Sequence, residues 1–155
     1  MTSDTVAASL AALEAFPAAL RAQVASLDDA TLRFRPAGEW SAIENVGHLI
    51  DIESVWMGRY QQMLSAENPA FPRVDVDEIV RRAEYQNKNL DNLLQTFAGL
   101  RAEAIPFLRM LKPMHLDRPG VHPVRGPMTV ASGIGIHANH DQLHADQIAK
   151  TVAQA

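Results

Sequence analysis

The 155-residue chain contains no cysteine. This absence excludes disulfides, a thiol nucleophile, thiolate metal ligands and iron–sulfur clusters, so any bound metal must be held by nitrogen and oxygen atoms. An excess of basic residues is also absent, because 14 Lys and Arg residues against 18 Asp and Glu residues give a formal net charge of −4 at pH 7. Since nucleic-acid binding normally needs a concentrated positive surface, we expect no nucleic-acid partner.

Long apolar runs, export signals and two common catalytic motifs are absent too. No apolar stretch reaches the roughly 18 residues that a transmembrane helix needs. The segment that starts at Met1 lacks the positive charge and the continuous apolar core of a secretory signal, so we expect a cytoplasmic protein without a membrane partner. There is no glycine-rich phosphate loop and no serine nucleophile elbow. With 47% hydrophobic and 21% charged residues, the composition suits one globular domain over residues 1–155.

Apolar residues recur at helical spacing in the first half of the chain. They predict a first helix over about residues 3–26, rich in alanine. Ser41 and Glu44 have the spacing of a capping box, in which each side chain satisfies a free backbone amide at a helix start. We therefore expect a second helix that begins there and ends near Ser65, with apolar residues over most of its circumference.

The second half of the chain predicts two more helices. Asp75 and Glu78 repeat the cap spacing before residues 76–111, which hold either one long helix or a short helix followed by a longer one. Residues 112–128 contain repeated prolines and glycines and indicate a loop, after which Thr129 can cap the final helix. Because no segment alternates like a strand, these elements predict an all-α four-helix bundle.

Three histidines in two of these helices predict a metal site. His140 and His144 are about one helical turn apart, so both imidazoles project from one face and can converge on one ion. His48 lies in the second helix among apolar residues, where an uncompensated imidazole would be costly to bury. Metal sites in bundles are built from facing helices. The alternative is that the pair lies on a solvated surface and that His48 is an ordinary, partly buried histidine.

Three imidazoles would leave a metal open to further chemistry. Neutral imidazole binds zinc, nickel, copper and ferrous iron, and three ligands leave a coordination position for water or substrate. A metal held in this way lowers the pKa of its water to about 7, polarises a carbonyl or binds a thiolate. We expect a divalent metal, with zinc favoured by cellular availability and nickel as the alternative.

The other histidines fit the cluster less well. His137 shares a helix face with His140 and His144, but it lies about 10 Å from His144 along the helix axis. One ion is therefore not expected to bind both of them together with His48, and we expect His137 to line the site. Its substitution for one of the ligands is the alternative. Two further histidines flank a Pro-Gly turn and are expected to be exposed loop residues, His115 and His122.

Three residues of the second helix are candidates for the surroundings of the metal. Asp51 follows His48 by three residues and can orient its imidazole through a hydrogen bond. Glu44 precedes it by one turn, although the capping role explains Glu44 without catalysis. Trp56 can line a pocket, or it can be a core residue as aromatic residues at helical spacing usually are.

Two stretches of the sequence resemble the DinB/YfiT-like family of metalloenzymes. One runs from Trp40-Ser41 to His48-Leu49 with Glu53 after it, and the other runs from Gly126-Pro127-Met128-Thr129-Val130 to His140, His144 and Gln147-Ile148. The resemblance implies a four-helix bundle with a long crossover connection, often homodimeric. It also implies that His48, His140 and His144 hold zinc or nickel, and it makes His137 an addition to the family pattern.

The resemblance also implies a small-molecule substrate. Members of this family include metal-dependent transferases and isomerases that use low-molecular-weight thiols such as bacillithiol or mycothiol, and other members resemble hydrolases. Our leading hypothesis is therefore a metal-dependent enzyme that activates a thiolate or a water for attack on a small electrophile. The alternatives are a metal-stabilised bundle that serves as a stress-response or dimerisation module without catalysis, and a helical protein that binds an apolar ligand without metal.

Overall fold

The computed structural model describes the backbone of residues 3–155 and the side chains of residues 4–155. Four long helices form the bundle, and shorter elements connect them. The long helices are α1 (Ser3–Val24), α3 (Ala42–Ser65), α5 (Leu90–Arg109) and α7 (Val130–Val152). The short elements are α2 (Asp29–Arg33), α4 (Val76–Ala83), a 3₁₀ turn (Tyr85–Asn87), α6 (Pro113–Leu116), and the strands β1 (Pro119–His122) and β2 (Gly126–Thr129).

The long helices pack in an order that differs from their order in the chain. The principal contacts join α1 to α5 and α7, and α3 to α5 and α7. Consecutive long helices, α1 with α3 and α5 with α7, therefore lie across the diagonals of the bundle. The connections over residues 25–41 and 110–129 must cross the bundle end, which confirms the expected crossover topology.

Two apolar clusters fill the bundle, one towards each end. One cluster takes the first half of α1 and of α7 together with the second half of α3 and of α5. The other cluster takes the opposite halves of the same four helices. Hence α1 and α7 run in one direction, while α3 and α5 run in the other. A layer of buried polar side chains separates the two clusters, and it includes His48, Glu53, Arg101, His137 and Asp141.

Capping explains where the two ligand-bearing helices begin. Ser41 Oγ accepts from the Glu44 amide while the Glu44 carboxylate accepts from the Ser41 amide, so the predicted capping box is present at the start of α3. Thr129 and Ser132 form the same reciprocal arrangement at the start of α7. Both caps satisfy amides that a helix start leaves without partners. The caps fix the residue at which each helix begins, and therefore the direction in which its histidine side chains point.

Residues 76–111 and 112–128 show the limits of the sequence-based assignment. In the first region the short helix α4 and the longer helix α5 are separate, because Glu84 adopts a left-handed conformation with φ of 52° that ends α4. In the second region the prediction of a loop without regular structure is wrong. It contains α6 and an antiparallel hairpin in which Pro119 pairs with Thr129 and His122 with Gly126.

The hairpin is attached to the rest of the molecule by backbone hydrogen bonds. Val121 donates to the Pro69 carbonyl over 2.8 Å, and the Phe71 amide donates to the Val121 carbonyl over 2.9 Å. Arg118 Nε also donates to the carbonyl of Met63, near the end of α3, over 2.8 Å. The hairpin is thus held against the end of α3.

Among the residues that the structure describes, one helix is apolar and long enough to span a membrane by length and composition alone, over Asp4–Val24. A core helix of a helical bundle satisfies the same criterion. Here α1 buries Leu13, Leu20 and Val24 completely against its neighbours. These residues face the bundle, and 22% of the apolar window is buried in this way.

Candidate metal centre

Three histidines from α3 and α7 converge at the polar layer. His140 Nε2 lies 3.4 Å from His48 Nε2 and 3.1 Å from His144 Nε2. Ligand atoms of all three residues lie within 4.8 Å of one another. Two nitrogens bound to one tetrahedral zinc at about 2.0–2.1 Å are about 3.3 Å apart. The observed separations therefore fit three ligands of a single ion.

The antiparallel packing of α3 and α7 brings these residues together. His48 is 92 positions from His140 in sequence, yet their ring centroids are 5.3 Å apart. His140 and His144, one turn apart on α7, have ring centroids 4.4 Å apart. A cation at this position would therefore join two helices from opposite halves of the chain.

The tautomer of His144 follows from its neighbours. Asn45 Nδ2 donates to the Ser41 carbonyl over 2.9 Å, which leaves Asn45 Oδ1 facing His144 Nδ1 at 2.7 Å. An amide oxygen only accepts, so His144 Nδ1 must carry the proton. The lone pair of His144 Nε2 then points to the other two rings, as a metal ligand requires.

The other two ligand candidates have a different environment. The Nδ1 atoms of His48 and His140 are buried, and they have no hydrogen-bond partner among the residues that the structure describes. Their Nε2 atoms face the cluster. When all three imidazoles carry their proton on Nδ1, as His144 does, three Nε2 lone pairs face one another without an electropositive partner. A divalent cation would supply that partner, so the donor set fits a metal.

Burial keeps the three imidazoles neutral. Burial and the nearby His144 lower the pKa of His48 from 6.5 to about 3. Burial, His144 and His48 lower the pKa of His140 to about 2. Burial lowers the pKa of His144 to about 4. Neutral imidazole is the form that binds metals, so little free energy is spent on deprotonation at neutral pH.

Comparison with known proteins identifies the family of the chain. A family model described as the DinB superfamily matches residues 12–148. The chain belongs to the DinB superfamily. Over 138 residues, 88% of this chain and 79% of the relative, it is 27% identical to a protein of Oceanobacillus iheyensis that is named as a candidate metal-dependent hydrolase.

Solved structures support the DinB fold. YfiT from Bacillus subtilis, described as a probable metal-dependent hydrolase with an unusual four-helix bundle topology, matches with a TM-score of 0.89 and 22% identity. The match covers 99% of this chain and 89% of YfiT. A mycothiol-dependent maleylpyruvate isomerase matches with a TM-score of 0.73 and 12% identity, over 92% of this chain and 60% of the isomerase. The family and the bundle fold expected from the sequence are therefore confirmed.

Two cavities reach the histidine cluster of this DinB-superfamily chain. The larger, of about 480 Å³, is lined by Trp40, Asn45 and all three clustered histidines, among other residues. Trp40 packs on the rings of His48 and His144, with centroid distances of 4.7 and 6.1 Å. The smaller cavity, of about 270 Å³, has His140 in its wall. The cluster is therefore accessible to small molecules while its ring faces are shielded.

His137 lies beside the cluster, in a buried network of charged groups. Its Nε2 is 3.1 Å from Glu53 Oε2, and its Nδ1 is 3.4 Å from the Tyr60 hydroxyl. Arg101 donates to both Glu53 oxygens, to Asp141 Oδ2 and to the Leu13 carbonyl. Burial alone would raise the pKa of Glu53, but hydrogen bonds from His137 and Arg101 outweigh it and lower that pKa to about 2. Both nitrogens of His137 thus have polar neighbours outside the three-histidine cluster.

The remaining sequence candidates have other neighbours. Asp51 Oδ1 accepts from the Tyr85 hydroxyl over 2.8 Å, and its Oδ2 has no partner among the described residues. No hydrogen bond joins Asp51 to an imidazole in the described part of the chain. The carboxylate of Glu44 serves the helix cap and pairs with Arg35. Trp56 stacks on His137 with centroids 5.4 Å apart and also lines the smaller cavity.

The two loop histidines lie in short elements and are partly buried, so their expected exposure is wrong. His115 Nδ1 accepts from the Lys112 amide at the start of α6. His122, at the end of β1, accepts from the amides of Val124 and Arg125 in the hairpin turn. Both stay outside the three-histidine cluster.

Proposed function

We propose that this protein is a metal-dependent enzyme of hydrolase type, in which His48, His140 and His144 hold a divalent cation with one coordination position open. The observation that carries the proposal is the convergence of three imidazole Nε2 atoms at metal-binding distance beside a cavity of about 480 Å³. The relative from Oceanobacillus iheyensis, named for metal-dependent hydrolysis, supports the same reaction class. Zinc is the favoured ion and nickel the alternative.

A divalent cation bound there supplies a Lewis acid that activates a water, a thiol or a carbonyl oxygen. The residues of the chain perform the remaining tasks. Asn45 keeps His144 in the tautomer that leaves Nε2 free. Trp40 covers two of the imidazole rings and restricts the approach of water to the cavity side. The low pKa of each histidine keeps all three available as neutral ligands at neutral pH.

Thiol transfer is the second candidate. Two cavities meet at His140, so a nucleophile and an electrophile can reach the same centre from different sides. The fold likeness to a mycothiol-dependent isomerase agrees with this reading. In that case a low-molecular-weight thiol would be the co-substrate, and the larger cavity would accommodate it.

Elemental analysis of protein purified without an affinity tag tests the metal site directly. We expect about one equivalent of zinc or nickel per chain and its loss in the His48→Ala and His140→Ala variants. His115→Ala is the matched control, because this histidine lies outside the cluster and should leave the metal content unchanged. The proposal would be overturned if protein from cells supplied with zinc and nickel contained no metal and also bound no metal on titration.

The reaction class is tested by turnover of ester and amide panels with and without added thiols. Hydrolysis without thiol, abolished by chelation, supports the hydrolase. Turnover that requires a thiol supports the transferase. Stabilisation by metal without turnover of either panel would favour a structural role for the ion.

A further inference from the structure

The smaller cavity beside His140 has a strongly cationic wall. It has a volume of about 270 Å³ and shares Ile52, Val76 and His140 with the larger cavity. Its cationic and titratable lining residues are Arg59, Arg73, His122, Arg125 and His140, and none of the described Asp or Glu residues lines it. The larger cavity, in contrast, includes the carboxylates of Glu39 and Asp77 in its lining together with one cation, Lys150, which pairs with Glu39. The two approaches to the cluster therefore differ in charge.

Arg59 is the decisive residue in this wall. It is only 9% exposed, and neither a hydrogen bond nor an ion pair joins its guanidinium to another described residue. Aromatic rings hold it in place, with its Cζ 5.1 Å from the Trp56 ring centroid and 5.6 Å from that of Phe71. These contacts position the charge but do not supply acceptors for its five N–H donors.

Arg101 provides the comparison within the same bundle. It is 2% exposed, and its guanidinium is neutralised by Glu53 and Asp141 and donates to a backbone carbonyl. A buried cation normally requires such partners, because desolvation without compensation is costly. Arg59 has no such partner among the described residues, and its nitrogens are not fully enclosed, so they are accessible from the cavity that Arg59 lines. Burial accordingly lowers its pKa.

Two further arginines extend the cationic wall towards solvent. Arg73 and Arg125 are exposed, and neither forms an ion pair with a carboxylate of the described residues. Arg59, His122 and Arg125 line the same small cavity, and burial first, and then the charges of the two arginines, lower the pKa of His122. Guanidinium groups bind carboxylate and phosphate oxygens in a bidentate manner.

We propose that this cavity is the subsite for an oxyanion group of the substrate, so that the enzyme acts on small molecules with a carboxylate or phosphate close to the reacting bond. The inference rests on the proposed function, because it places that group next to the metal ligand His140. A cavity of about 270 Å³ lies below the usual size of a complete ligand pocket. It therefore suits one charged end of a substrate whose remainder extends over the histidine cluster.

Binding calorimetry tests the subsite without turnover. The probes are succinate and inorganic phosphate, with succinamide as the neutral counterpart of succinate, and the protein is used both as purified and after chelator treatment. We expect succinate or phosphate to bind in both forms and succinamide not to bind. Stronger binding of one anion distinguishes a carboxylate site from a phosphate site. Equal binding of succinamide, or no binding of either anion, would overturn the proposal.

Variants assign the binding to Arg59. Arg59→Met should weaken anion binding by about tenfold or more, because one charged set of hydrogen bonds is lost, and Arg59→Lys should weaken it less. Arg82→Met, a charge removed from the exposed face of α4, is the matched control and should not alter binding. Because Arg59→Met removes a buried side chain, Arg125→Ala tests the exposed rim independently and should also weaken binding. Unchanged affinity in both Arg59→Met and Arg125→Ala excludes the subsite.

The two proposals fail separately. If metal analysis finds no ion but chelator-treated protein still binds anions through Arg59, the proposed function fails and the cationic site stands. If metal is present and the anions bind only to the metal-loaded form, with no effect of Arg59→Met, the metal centre stands and the subsite fails.

Discussion

His144 donates its Nδ1 proton to Asn45 Oδ1 over 2.7 Å, and Asn45 is itself held by the Ser41 carbonyl at the start of α3. The cap of one helix thus orients a candidate ligand on another. Asn45→Leu keeps the approximate size but removes the acceptor. We expect metal affinity to fall by about 10–100-fold, as for other groups that orient a metal-bound histidine. Competition with a chromogenic chelator measures the change.

Asn139→Ala is the control for this prediction. Asn139 is exposed and lies on α7 beside the cluster, so its removal should leave the metal affinity unchanged. A normal affinity in Asn45→Leu would mean that the hydrogen bond does not hold His144 for metal binding.

Arg101→Met should strongly destabilise the bundle. The substitution leaves Glu53 and Asp141 buried without their cation. Breaking a buried ion pair by removing one partner typically costs about 3–5 kcal/mol in the free energy of unfolding. Urea denaturation provides the measurement. Arg109→Met, which removes an exposed ion pair with Glu14, should change the free energy by less than about 1 kcal/mol.

Gly47→Ala should disrupt the packing of α3 against the 3₁₀ turn. A Cβ atom at Gly47 would lie 2.3 Å from the ring of Tyr85, whose hydroxyl donates to Asp51. Gly58 lies in the same helix, and a Cβ atom there meets nothing within 4 Å. We therefore expect Gly47→Ala to lower the melting temperature and Gly58→Ala to stabilise the protein by about 0.5–1 kcal/mol. Equal effects of the two substitutions in thermal denaturation would contradict the close contact.

The metal-free protein should lose stability as the pH falls below 6.5. The clustered histidines have folded-state pKa values of about 3, 2 and 4, below the ordinary value of 6.5. Between these values the unfolded chain binds protons that the folded chain does not. The free energy of unfolding is therefore highest above pH 6.5 and decreases on acidification, by up to about 1.4 kcal/mol per pH unit for each histidine.

Urea titrations between pH 7 and 5 in the presence of a chelator measure this slope. The range lies above 4.5, the ordinary pKa of a glutamate, and Glu53, whose folded-state pKa is lowered to about 2, reduces the stability only below that value. His48→Ala should reduce the slope, whereas His115→Ala should have a smaller effect. A stability independent of pH over this range would mean that the cluster is not held neutral by burial.

Local signals in the sequence account for the bundle and for much of the site. The spacing of Ser41 and Glu44 and the cap at Thr129 predicted the starts of α3 and α7, and the structure has both caps. Helical periodicity then put His140 and His144 on one face. Their assignment as ligands together with His48 stays a prediction, although the three rings do converge.

Partners that are distant in sequence were harder to predict. Glu53 and Arg101 are 48 positions apart, and neither has a local motif that reveals the other. Asn45 was missed as well, although a polar residue three positions before His48 among apolar neighbours was a usable signal. The hairpin was missed because its strands are only four residues long and rich in proline and glycine. Its pairing depends on attachment to residues 69–71 rather than on its own pattern.

The hairpin packs on the bundle through Met128, which belongs to one of the apolar clusters, but its turn over residues 123–125 is exposed and contributes Arg125 to the smaller cavity. Its turn can therefore change in length and charge while the histidines and the helix contacts stay as they are. New substrate preferences could then evolve through changes in this turn, with little effect on the folding of the bundle.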